Sequence, residues 1–169
     1  KYDRPLPVFS THPASHERLN DIKAEAAAIA NAPTDRGRDR YRVAVRPLLP
    51  KLLDEELGNR RYAGSILVIG ELLADAPVED KGLLTFYLGE AYRRRGLGDD
   101  KAKAASYYAQ AVALPNPPAA AWREHGFVQR AAGEATGARA ALRRYLLEAP
   151  AAEDRAFVQR ELDKLGGVR

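Results

Sequence analysis

The 169-residue chain has no cysteine and no methionine, and only one tryptophan. Without cysteine there is no disulfide scaffold, thiol nucleophile, zinc finger or cysteine-held iron–sulfur cluster. The compartment stays open, because a periplasmic protein can also lack cysteine. Translation begins with Met, and Met is normally retained before a bulky residue such as Lys1. The missing methionine therefore predicts a chain trimmed at its N-terminus, the C-terminal part of something larger. No apolar run approaches the roughly 18 residues of a membrane span. No signal peptide is visible, and a trimmed chain would not show one.

Catalytic patterns are equally scarce. The serines Ser10, Ser15, Ser65 and Ser106 lie in no nucleophile elbow. Gly96-Leu97-Gly98 runs into aspartates rather than a Lys-Thr pair, so no phosphate loop is formed. His12 and His16 could share a helix face, but a metal needs more than two ligands, and no H-E-x-x-H occurs. His125 reads as a partly buried structural histidine. Asp54-Glu55 and Asp99-Asp100 read as a helix surface and a turn. No self-contained active site or metal site is expected, and no cofactor within these residues.

Against these absences stand 31 alanines, 46% apolar and 30% charged residues. That balance suits a soluble globular chain, one domain or one domain plus an extension. The net charge of +4 is mild. The densest basic run, Arg93-Arg94-Arg95, sits between Glu90 and Asp99-Asp100 and reads as a helix C-terminus, where cations favour the dipole. No nucleic-acid partner is expected.

Pro5, Pro7 and Pro13 predict an extended segment over 1–13. Leu19, Ile22, Ala26 and Ile29 then recur at helical spacing, predicting a helix over 14–30. β-branched residues are sparse and alanine dominates, so the remainder reads as all-α. Helices are predicted over 38–46, 48–58, 61–75, 80–95, 101–113, 119–132, 136–148 and 151–165.

These helices repeat. In a unit of about 34 residues starting at Ala119, Trp122, Gly126, Ala138, Leu142, Tyr145 and Pro150 fall at positions 4, 8, 20, 24, 27 and 32. A middle unit starts near Gly82, with Leu88, Gly89 and Tyr92 in place and Ala104, Tyr108 and Ala111 displaced by three residues, which the loop 96–100 absorbs. The first unit, from Arg46, fits through Tyr62, Ser65, Ile69, Leu72 and Pro77, but carries Leu53 where a small residue is expected. The pattern resembles the tetratricopeptide repeat (TPR). The resemblance implies a TPR-like superhelix of antiparallel helix pairs, about three repeats, closed by a polar-faced C-terminal capping helix. Small residues at positions 8 and 20 let paired helices approach, so Gly89 and Gly126 are expected contact points rather than hinges.

Stacked units present their first helices on a concave face. Positions 2, 5, 9 and 12 place Leu83, Phe86, Glu90 and Arg93 there, then Ala120, Arg123, Phe127 and Arg130. The candidate binding groove is therefore Phe86, Glu90, Arg93, Arg123, Phe127 and Arg130. Its arginines suit carboxylates and its aromatics supply apolar anchors, so a protein or peptide partner of acidic character is expected.

One short motif remains: Thr11-His12-Pro13, followed by Arg18-Leu19. It resembles the segment after the catalytic core of HtpX-like zinc metallopeptidases, peptidase family M forty-eight, whose bacterial members often continue into TPRs. The resemblance implies that residues 1–37 close a peptidase domain and 38–169 form the TPR-like domain. It further implies a zinc-dependent parent whose H-E-x-x-H core lies upstream, a periplasmic or outer-membrane-associated location, and a cleft-facing role for His12. The other reading is a free-standing TPR adaptor or assembly protein with no peptidase link, for which a cytoplasmic location stays open.

Overall fold

The computed structural model describes residues 15–28 and 37–166. Among these, every regular element is helical, as the composition predicts. In chain order they are α1 (Ser15–Ala28), α2 (Arg38–Val45), a 3-10 turn (Arg46–Leu48), α3 (Leu49–Gly58), α4 (Tyr62–Ala74), α5 (Val78–Arg95), α6 (Asp100–Ala113), α7 (Ala119–Ala131), α8 (Ala135–Glu148) and α9 (Arg155–Gly166). The extended segment expected over 1–13, and His12 within it, lie outside the described residues. The chain separates into two compact units, residues 1–46 and 47–169. The boundary expected between 37 and 38 thus differs from this one, which leaves α2 with the first unit.

In the first unit, Leu19 and Ile22 of the α1 stripe are exposed. Gly37 adopts φ 66° at the start of α2 and accepts a hydrogen bond from the Tyr41 N–H at 2.8 Å.

In the second unit, prolines and glycines set the helix limits. Pro77 and Pro118 are extended, and α5 and α7 begin at the next residue. The predicted start of α5 at residue 80 therefore moves back to Val78, placing Glu79 and Asp80 in the first turn, where the helix dipole favours acids. Gly96 ends α5 in the left-handed region, φ 66°, with its N–H on the Tyr92 carbonyl at 3.0 Å. The last helix starts at Arg155, not 151. Pro150 is followed by turns in which Ala152 N–H meets the Ala149 carbonyl and Arg155 N–H meets that of Ala152.

Two antiparallel hairpins dominate. In α5/α6, Gly82 faces Pro115, Gly89 faces Tyr108 and Arg95 pairs with Asp100, so one index rises as the other falls. In α7/α8, Trp122 faces Arg144, Gly126 faces Leu142 and Gln129 faces Gly137. A Cβ on Gly89 would stand 2.9 Å from the Tyr108 ring, and one on Gly126 would stand 2.8 Å from Leu142 Cγ. Both glycines are the contact points that the repeat phase requires. Ala104, Tyr108 and Ala111 on α6, and Ala138, Leu142 and Tyr145 on α8, are all buried, despite the three-residue offset between the pairs.

α4 packs along α5, whereas α3 touches α4 and α5 only lightly. The Tyr87 hydroxyl bridges that gap, its one proton shared between Asp54 Oδ1 at 2.9 Å and the Pro50 carbonyl at 3.1 Å. At this end Leu53 is buried, while Leu72, at the position where Ala111 and Tyr145 are buried, is exposed. At the other end α9 lays Val158 and Leu162 against Leu142, Tyr145 and Leu146.

Candidate functional site

The six groove residues expected from the repeat phase divide into two groups. Phe86 and Glu90 are 6% and 4% exposed, so they are core residues and not an open face. The Phe86 ring lies 5.3 Å from Tyr87 and 5.9 Å from Tyr108. Glu90 accepts hydrogen bonds from Tyr108 Oη at 2.6 Å, from Arg93 Nε and Nη2 at 2.8 and 2.6 Å, and from Arg94. Burial alone would raise its pKa. The donors from Arg93 and Tyr108, with the charges of Arg93 and Arg94, outweigh burial and hold it below the ordinary value.

The remaining four residues reach the surface, but their cations are already matched. Arg93 is 49% exposed and forks onto Glu90. Arg123 pairs with Glu124 at 2.8 Å and with Asp154 at 2.6 Å. Arg130 pairs with Glu161 and stacks over Phe127, whose ring lies 5.9 Å from Phe157. Asp154, Phe157 and Glu161 come from α9 and the turn before it. The chain's own C-terminal carboxylates thus stand where an acidic partner was expected. Asp154 also accepts from the Tyr145 hydroxyl, and these bonds hold its pKa down against burial.

On α7 and α8 lies a cleft of about 600 Å³ that the repeat phase does not flag. One wall is Trp122, His125 and Gln129, spaced i, i+3, i+7 along α7. The floor is Gly137, Ala140 and Ala141 of α8, and Arg144 closes one end, its guanidinium 6.0 Å above the Trp122 ring. Trp122 Nε1, His125 Nδ1 and Gln129 Oε1 are buried without a hydrogen-bond partner among the described residues. An unpaired buried polar group costs about 1–3 kcal/mol, so three on one wall is the least satisfied place in the described fold. Burial also lowers the His125 pKa, against the opposing charge of Glu134. His125 is partly buried, as read from the sequence, and lines the cleft. The only signal in the sequence was a polar spacing, which by itself looks like an ordinary helix face.

Among the described residues no group of three or more His, Asp or Glu side chains stands close enough to hold a metal. Nor is any described helix long and apolar enough to cross a membrane. No protein-family model matches the chain, and no curated protein or solved structure matches it either.

Proposed function

We propose that residues 47–169 form a TPR-like superhelical module of about three repeats that binds protein or peptide partners without catalysing a reaction. The observation that carries this is the repeated small-on-large contact. Gly89 meets Tyr108 and Gly126 meets Leu142, each at the same place in its hairpin. A single helical hairpin cannot bury its apolar face alone, and hairpins that stack to do so build extended binding surfaces. The part of the first-helix stripe that reaches the surface, around Arg93 and Ala120, is the surface expected to bind, with Phe86 and Glu90 beneath it in the core.

Site-specific photocross-linking tests this reading in cells that produce the protein. A cross-linker at Arg93 or Ala120 should capture a defined partner, while one at the exposed Leu147 of α8 should not. Equal or absent capture at all three sites would count against an interaction module.

The resemblance of Thr11–Leu19 supports a finer proposal: the module is the tail of a periplasmic zinc metallopeptidase and presents substrates or partners to it. Metal analysis of the natural full-length protein should then give one zinc per chain, and His12→Ala should alter zinc retention or activity. A full-length protein without zinc leaves the free-standing adaptor.

A further inference from the structure

We infer that the α7–α8 cleft is a docking site for an uncharged, extended peptide segment of a partner protein, bound through its main chain. The inference rests on the interaction-module reading but not on the concave stripe.

Two of the three unpaired atoms differ in sense, the Trp122 indole N–H donating and Gln129 Oε1 accepting; both are buried, so each side chain must turn for them to meet an occupant. Seven residues of α-helix separate their Cα atoms by roughly 10.5 Å. An extended chain advances about 3.3 Å per residue, so about three residues span the wall. A peptide main chain supplies the complementary series, a carbonyl for Trp122 and an N–H for Gln129, over that length.

The lining favours an uncharged occupant, since it holds no carboxylate and its one guanidinium already has a partner. The Arg144 guanidinium, the cation at the mouth, is held by Glu148 at 2.5 Å. Burial pushes His125 toward its neutral form. The floor favours a main chain as well. Gly137, Ala140 and Ala141 project almost nothing, which permits the close approach that backbone hydrogen bonding requires. The flexible element is Gln129. Its carboxamide occupies the space beside Gly137, 2.5 Å from where a Cβ would stand, and it must swing aside to present Oε1.

Trp122 is the sole tryptophan, so its indole N–H gives a single nuclear magnetic resonance signal. Titrating the ¹⁵N-labelled full chain with acetyl-trialanine methylamide should shift that signal saturably. Ala140→Phe, at an exposed position, fills the floor and should weaken the response about tenfold. Gln129→Leu, which removes the acceptor, should do the same and stands in if Ala140→Phe fails to fold. No indole shift, an undiminished shift in both variants, or stronger binding of acetyl-triglutamate methylamide would overturn the inference. If peptide instead moves signals of Arg93 and Ala120 and leaves Trp122 unchanged, the cleft is excluded while the interaction module survives.

Discussion

At the scale of single residues, two glycines carry the hairpins. Each takes the place of a side chain that the partner helix leaves no room for: Tyr108 fills the space over Gly89, and Leu142 the space over Gly126. Leu142 is fully buried, so it has nowhere to retreat. Gly126→Leu should therefore overpack the α7/α8 contact and destabilise the protein by ~1–3 kcal/mol, despite leucine's better helix propensity. Chemical denaturation checks this, and an unchanged midpoint would refute the assigned contact. These contacts were legible in the sequence because Ala104 and Ala138 recur 34 residues apart, and Gly89 and Gly126 keep the same places once the three-residue insertion is allowed for. The depth of Phe86 and Glu90 was not. Their spacing gives a direction around α5, but their burial depends on the bulk that neighbouring helices bring, here Tyr108 of α6. A buried carboxylate also needs donors from a second helix, and no spacing within α5 reveals the Tyr108 hydroxyl.

At the scale of elements, the α5–α6 loop shows how three extra residues are accommodated. Gly96 and Gly98 take positive φ, 66° and 52°, where other residues are strained. Asp100 then locks the loop, accepting from Arg95 Nε and Nη2 at 2.8 and 2.7 Å and from the Leu97 N–H at 2.9 Å. The Arg95 fork and the Leu97 amide bring the Asp100 pKa down to about 2, from an ordinary 3.8. A carboxylate with a lowered folded pKa stabilises fully above its unfolded value, and that stability is lost as pH falls through the folded one. Stability should therefore decline on acidification from about pH 4 to about pH 2. Glu90 and Asp154, also lowered, act in the same direction. Asp100→Asn should be less stable at pH 7 and lose less between pH 4 and 2. Denaturant midpoints across that range read the difference, and an identical slope in the variant would remove the role. The sequence flagged Arg93-Arg94-Arg95 as a helix end through its charges alone. It could not assign Arg93 and Arg94 to Glu90 and Arg95 to Asp100, because that division depends on the path of the loop.

At the scale of the whole second unit, the two ends differ. α4 presents Leu67, Val68 and Leu72 to solvent, whereas α9 closes the other end with a polar outer face. The sequence set Phe157, Leu162 and Leu165 against Glu153, Arg155 and Arg160; Leu162 and Leu165 do pack inward, but Phe157 is 47% exposed, and Val158 and Glu161 take the inner face in its place. The reach of α9 onto α7 was not legible, because Arg123–Asp154 and Arg130–Glu161 join residues some thirty positions apart. A terminal helix in a stacked array supports only its neighbour, so its loss acts locally and then propagates. Ending the chain after Pro150 removes Val158 and Leu162 from the α8 face and uncovers Leu142, Tyr145 and Leu146. Burying one such side chain contributes about 1.5–3 kcal/mol, so the truncated protein should lose roughly 3 kcal/mol or more. It should also bind a hydrophobic dye that the full chain does not. The same truncation removes Asp154 and Glu161, leaving Arg130 without its α9 partner and Arg123 with Glu124 alone. If the stripe is a latent groove for acidic chains, the truncated protein should bind hexaglutamate at low salt in a manner abolished by high salt. Unchanged stability would show that α9 is not a cap. A destabilised but still folded chain with no gain in hexaglutamate binding would show that α9 stabilises the array without covering a ligand surface.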